Sequence, residues 1–253
     1  MRLKDKIVLI TGAAGAVGAA MVEAASAAGA IPITSDLAGL HGAAHALDVT
    51  SEPDWLRVIG AIDHEHGRLD GLVNAAGLAA LATIEDTDYA LWRQIMAVNL
   101  DGTFLGCKHA LPIMVKQGGG RVVNLIGNDG VKPSYWEICP GAANAAGQNL
   151  TMSLAGQYGK HGVSFCAVNP GPVRTERWVG LVNAMSRDMK LSYEEADQLA
   201  PSSIPMGRIA EVEEVANLVV MLASPLMHMV NGTMIEIDGG QEKSLMDRLR
   251  DKK

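Results

Sequence analysis

At 253 residues the chain can bury a large core in one α/β domain, and residues 1–253 are read as a single unit with no call for a second. Hydrophobic residues make up 48% and charged residues 19%, which excludes general disorder and supplies enough material for a sheet covered on both faces. A formal charge of −7 with scattered Lys and Arg excludes nucleic acid as an expected partner.

The first apolar run, 7–11, reaches Thr11 and Gly12 after a few residues. It is too short for a signal-peptide core or a membrane span, so it is read as a strand, and no membrane partner is expected. Further runs of strand length follow at 31–35, 71–74, 121–126, 163–168 and 233–237. Between them lie helical stretches: an Ala-rich one at 16–28, then 54–64, 89–115, a small-residue one at 142–158, and 212–222. Such alternation calls for parallel strands joined by crossover helices, and the strands are apolar throughout because both sheet faces are covered. The stretch 177–205 breaks this rhythm after a strand end, where substrate loops lie in open α/β sheets, and is read as a lid. Its Trp178, Met185 and Met189 suggest an apolar or bulky small-molecule substrate. Cys107, Cys139 and Cys166 are odd in number and form no C-x-x-C pair, as in a reduced, cytoplasmic protein. The histidines lie in no ligand cluster, and His64 and His66, at i and i+2, fall on different sides of a helix, so no metal site is expected.

Thr11-Gly12-Ala13-Ala14-Gly15-Ala16-Val17-Gly18 follows a strand and opens a helix, the context a phosphate-binding turn needs. Glycines tighten such a turn and let the backbone approach a pyrophosphate, whose charge meets the N–H groups of the helix N-terminus. Gly12, Gly15, Val17 and Gly18 are the candidate contacts. Asp36 closes the second strand 18 residues after Gly18, where a carboxylate accepts hydrogen bonds from ribose hydroxyls and repels a 2′-phosphate. NAD(H) is therefore expected over NADP(H).

The turn resembles the T-G-x-x-x-G-x-G of the short-chain dehydrogenase/reductase family, with Ala16 at the middle Gly position and Gly15 one residue earlier. Asp48-Val49 is similar to the family's adenine-holding pair, and Asn74-Ala75-Ala76-Gly77 to its N-N-A-G, with Ala75 for the second Asn. The run from Val168 to Thr175 resembles the sixth-strand signature. There the resemblance gives Pro170 and Gly171 the wall behind the nicotinamide, and Val173 and Thr175 its carboxamide. Pro205-Met206-Gly207-Arg208, Glu214-Val215-Ala216 and Asp238-Gly239-Gly240 extend the resemblance to about residue 240. It implies a Rossmann-type, doubly wound, mostly parallel seven-stranded sheet with helices on both faces.

The family's chemistry moves a hydride to or from the nicotinamide while a Tyr exchanges a proton with the substrate oxygen. A Lys one turn later lowers the Tyr pKa, a Ser fixes the substrate, and an Asn supports a water relay. The Asn is retained as Asn99. Anchored on Gly120-Arg121 and Gly130 at one end and residues 148–154 at the other, the resemblance puts Gly127 at the Ser position, Pro140 at the Tyr and Asn144 at the Lys. None of these side chains can do the work of the residue it replaces. Tyr135 and Asp129 are the candidate substitutes within the same segment. Pro140 also sets a helix start, because proline is tolerated in the first turn and disruptive inside.

The chain is therefore expected to be a non-catalytic or weakly catalytic subunit of an NAD-linked hydroxyl/ketone oxidoreductase. It would assemble as a homo-oligomer, dimer or tetramer, or with a catalytically intact homologue, through the small-residue helix. The alternative is an independent enzyme that takes its proton from Tyr135 or Asp129, or that runs non-redox chemistry.

Overall fold

The computed structural model describes residues 3–242. Residues 1–2 and 243–253 of the expected single unit lie outside the described residues. In chain order the elements are β1 (Ile7–Thr11), α1 (Ala16–Ala27), β2 (Ile31–Asp36), β3 (His45–Ala46), α2 (Glu52–His66), β4 (Gly71–Asn74) and α3 (Tyr89–Met96). A π-helical turn (Ala97–Asp101) leads into α4 (Gly102–Lys116), β5 (Gly120–Leu125), α5 (Ile138–Tyr158), β6 (Val163–Pro170), α6 (Glu176–Met189), α7 (Tyr193–Leu199), α8 (Val212–Ala223) and β7 (Thr233–Ile237).

The strands form one seven-stranded sheet in the order β3-β2-β1-β4-β5-β6-β7, and every pairing is parallel. This is the Rossmann-like α/β fold. Alternate residues of a strand point to opposite faces, which explains why the runs are apolar throughout. Ile7 and Leu9 of β1 join α2 and α4 in one core around Trp55, Met114 and Phe165. Val8 and Ile10 join α1 and α8 in the other, around Met21, Val168 and Val219. The order in which the strands are added reverses between β1 and β4, the place where open α/β sheets leave a crevice for ligands.

Local signals account for the helix ends. Ser51 caps α2 by accepting from Asp54 N at 3.3 Å, and Asp88 caps α3 by accepting from Leu91 N at 2.7 Å. Three expectations are corrected. The two-residue strand β3 was not among the apolar runs, being too short and too polar to give a period. The expected helix 89–115 is two helices separated by the π-helical turn. The helix expected at 142–158 begins at Ile138, with Pro140 as its third residue, inside the first turn where a missing N–H costs nothing.

Residues 177–205 hold α6, α7 and a short 3-10 turn. Trp178, Val182, Met185 and Ala196 pack into a cluster of their own, and the Trp178 indole N–H donates to Asp197 Oδ1 at 2.6 Å. Trp178 and Met185 are thus buried, which overturns their reading as signs of an apolar substrate. Among the described residues no helix is long and apolar enough to cross a membrane.

Candidate active site

Parallel strands bring the loops after β1, β2, β4, β5 and β6 to one end of the sheet. There the turn after β1 lies against the end of β4. Gly12 has φ +67°, and a Cβ on it would stand 2.8 Å from Ala76 N. A Cβ on Gly18 would overlap the Gly12 carbonyl oxygen. Thr11 Oγ1 accepts from Ala75 N at 3.0 Å and Ala76 N at 3.1 Å, locking the two segments together. Gly15 precedes α1 in an extended conformation, with no side-chain cap and no acidic residue in the first turn. The N–H groups of a twelve-residue helix are thus left facing the turn, and Val17 packs half-buried beneath it. Glycine at 12 and 18 lets the turn close tightly against β4 and α1, and the uncapped N–H groups ahead of α1 fit a dinucleotide pyrophosphate.

Asp36 stands at the end of β2, where Oδ2 accepts from Ala14 N at 2.9 Å and Oδ1 from Leu37 N at 2.8 Å. Its carboxylate therefore fixes the glycine turn as well as bringing a negative charge to the crevice. Asp48 Oδ1 accepts from both Thr50 N and Thr50 Oγ1, and Val49 O accepts the Trp55 indole N–H at 2.9 Å. Gly102 approaches Val49 so closely that a Cβ would stand 2.8 Å from its methyl. Asn74 donates to Asn124 Oδ1 at 2.9 Å, and Asn124 donates to Thr151 Oγ1 at 2.9 Å, a buried polar chain running β4 to β5 to α5. The polar Asn124 between Val123 and Leu125 was the available signal for this chain of bonds.

Beyond β6, Gly171 lies against Asp238, Val173 pairs with Ala210, and Thr175 Oγ1 donates to Val173 O at 3.3 Å. Pro170 ends β6 and pairs in register with Ile237. Gly77 lies under Asn99, whose Oδ1 would be 3.6 Å from a Cβ there. Asn99 sits in the π-helical turn with both amide atoms engaged by one residue. Its Oδ1 accepts from Leu78 N at 2.8 Å and its Nδ2 donates to Leu78 O at 2.9 Å. It pins the loop after β4 against the helices.

Two of the three positions expected for proton transfer, 127 and 144, meet at Asp129. A Cβ on Gly127 would overlap Asp129 Oδ1 and stand 2.7 Å from Asn144 Nδ2. Asn144 Nδ2 donates to Asp129 Oδ1 at 2.6 Å. The carboxyl thus occupies the volume a side chain at 127 would claim, and Asn144 holds it there. Asp129 is only 7% exposed, and its Oδ2 has no hydrogen-bond partner among the described residues. Burial raises its pKa above the ordinary carboxylate value, against the opposing pull of the Asn144 hydrogen bond and the Arg177 charge. Gln148, one turn beyond Asn144, also leaves Nε2 buried without a partner. Pro140 and Cys139 are buried in the first turn of α5. Tyr135 lies in the turn ahead of it, 39% exposed, with its ring tilted against Trp136 at 5.6 Å. The structure thus brings Gly127, Asp129 and Asn144 together, joins Asn99 to Leu78, and places Tyr135 in the preceding turn.

The family model described as enoyl-(acyl carrier protein) reductase matches residues 12–242, nearly the whole described chain. The chain belongs to the short-chain dehydrogenase/reductase family. Trans-4-hydroxycyclohexanecarboxylate dehydrogenase of Sinomonas cyclohexanicum is a family relative, 31% identical over 260 residues that cover 95% of this chain and 94% of that protein. Levodione reductase superposes on this short-chain dehydrogenase/reductase with a TM-score of 0.86 at 28% identity, covering 95% of this chain and 98% of that one. L-sorbose reductase of Gluconobacter frateurii, solved with NADPH and L-sorbose, shares the fold at a TM-score of 0.88 and 24% identity, over 96% and 98% of the two chains. The relatives thus include a dehydrogenase and a reductase, and the fold is shared with a reductase solved with NADPH.

Proposed function

We propose that this protein is a nicotinamide-dinucleotide-binding family member that has given up the Ser-Tyr-Lys proton apparatus. It serves as the non-catalytic or weakly catalytic subunit of an oligomeric hydroxyl/ketone oxidoreductase. The observation that carries this reading is the Asp129 carboxyl, held by Asn144 in the space of a side chain at 127. With Gly127, Pro140 and Asn144 at the three positions, no phenol stands at the tyrosine position of α5 and no cation follows it one turn later. Loss of one general acid/base costs roughly 10²–10⁴ in rate, and loss of a cooperating set leaves mainly positioning.

The cofactor side keeps its parts. Gly12, Gly15 and Gly18 leave room for the pyrophosphate at the N-terminus of α1, and Asp48 and Val49 wall the adenine. Asn74, Ala76 and Gly77 line the crevice, while Pro170, Gly171, Val173 and Thr175 back the nicotinamide. A bound nicotinamide supplies a hydride donor or acceptor. Asp36 at the end of β2 puts a negative charge where a 2′-phosphate would lie, which favours NAD(H) over NADP(H). Partly exposed Phe104 on α4 and Met152 on α5, with the small residues of α5, suit assembly with a second copy or with an intact homologue.

A second reading is favoured by the orphaned Oδ2 of Asp129 and by the burial that raises its pKa above the ordinary carboxylate value, the attributes of a carboxyl that can hold and exchange a proton. In that case the chain is an enzyme on its own account. One experiment separates the two. The purified chain is titrated with NADH by fluorescence and assayed against secondary alcohols, hydroxycyclohexanecarboxylates among them, and their ketones. The expected outcome is saturable NADH binding without turnover. Robust turnover by the chain alone sinks the subunit reading, and its abolition in Asp129→Asn establishes the second one.

A further inference from the structure

The parallel sheet has a second end. Ahead of β1, β4 and β5 lies a groove of about 570 Å³, on the opposite side of the sheet from the glycine turn and Asp129. Lys6, Arg68 and Arg121 line it together with His66 and His228, and Asp70 is the one carboxylate among its lining residues. Lys6 Nζ lies 3.0 Å from Asp70 Oδ1, and Arg68 Nε donates to Asp70 Oδ2 at 2.9 Å, so two cations share this single anion. Arg121 has none. It is 7% exposed, yet its guanidinium meets only neutral acceptors: the Ser164 hydroxyl, His228 O at 3.4 Å and His228 Nδ1 at 2.9 Å.

A buried cation without a counter-charge is costly, and the cost is relieved by an anion that reaches it. Three cations around one carboxylate leave a positive groove on a chain whose formal charge is −7. Ligands of open α/β sheets bind at the ends where the strands finish, so the dinucleotide crevice accounts for nothing at this end. The guanidinium fork matches the geometry of phosphate oxygens, and the excess of cations matches a dianion better than a single carboxylate.

We propose that this groove is a second binding site, for a phosphate group of a small molecule or free phosphate, anchored on Arg121 and completed by Lys6 and Arg68. The site is independent of how the Asp129 segment is read.

Inorganic phosphate is the probe, titrated by calorimetry and by thermal unfolding against sodium chloride of equal ionic strength. Saturable, phosphate-specific binding is expected, with Tm rising by about 3–5 °C at tenfold saturation. Because Arg121→Gln removes a buried group that the fold has adapted to, the deciding variant is Lys6→Gln with Arg68→Gln, whose side chains are 31% and 48% exposed. A loss of at least tenfold in phosphate affinity there, with NADH affinity unchanged, supports the site. A response that chloride reproduces overturns it. So does phosphate binding undiminished in the double variant, since that binding would belong to the glycine turn or to the general surface. Glucose 6-phosphate and phosphoenolpyruvate in place of the free ion then distinguish a phosphorylated metabolite from phosphate itself.

Discussion

Asp129 carries a cost that the rest of the fold tolerates. One carboxyl oxygen is bonded to Asn144, the other has no partner, and burial raises the pKa. A raised native pKa means that the folded state holds its proton more tightly than the unfolded chain. This group's contribution is therefore fully present below the unfolded carboxylate range and is lost as pH rises through the higher native value. Asp129→Asn removes the ionisation and keeps an oxygen for Asn144. Its expected effect is a higher Tm near pH 7, by a few degrees on the scale of roughly 2–4 °C per kcal/mol for a domain of this size, and a gain that shrinks toward about pH 4. Thermal unfolding of both proteins at the two pH values checks this, and equal shifts at both would mean that the charge is not what the site resists. The expectation that Gly127, Pro140 and Asn144 stand at the proton-transfer positions rests on the order of motifs along the chain, where glycine and proline stand out. The carboxyl folding back into the space left by Gly127 was not legible, since it depends on Asn144 arriving from α5.

At the scale of elements, the long runs were legible because both faces of a parallel strand are covered, so β1, β4, β5 and β6 read as predominantly hydrophobic stretches. β3 has two residues and a His, and gave no such signal. The break in the expected helix 89–115 was hidden for a different reason: the sequence Ala97-Val98-Asn99-Leu100-Asp101 keeps good helical spacing, and the widened turn follows a contact made elsewhere. Asn99 reaches the loop after β4 and satisfies both backbone groups of Leu78. A widened turn of this kind often marks a functional position. Asn99→Leu leaves the Leu78 N–H and C=O without their partner and should cost about 1–3 kcal/mol. Hydrogen exchange read by mass spectrometry should then quicken over residues 78–82 while α4 keeps its protection. Unchanged exchange in that loop would show that Ala82, bonded through its N–H to Trp136 O at 2.8 Å, holds the loop without Asn99.

At the scale of the whole molecule, the backbone has stayed with its relatives. A TM-score of 0.86 against levodione reductase covers 95% of this chain and 98% of that one, so the two frames superpose over nearly their whole length. If the proton apparatus was lost by side-chain exchange on a retained frame, restoring side chains should restore function. The obvious graft, Gly127→Ser with Pro140→Tyr and Asn144→Lys, ignores the occupant of the site. A Cβ at 127 would overlap Asp129 Oδ1, and the new lysine would pair with that carboxylate instead of supporting the tyrosine. The triple variant is therefore expected to be destabilised and inactive. Adding Asp129→Ala clears the volume and removes the competing charge. The fourfold variant is expected to oxidise at least one secondary alcohol with NAD⁺ at about 10²-fold or more above the parent, on the scale that one general acid/base contributes. Cofactor reduction followed by absorbance, with folding verified by circular dichroism, measures it. A folded fourfold variant that binds NADH yet stays silent would locate the loss in the path of the 131–137 turn ahead of α5, which no exchange of side chains at 127, 129, 140 and 144 can move.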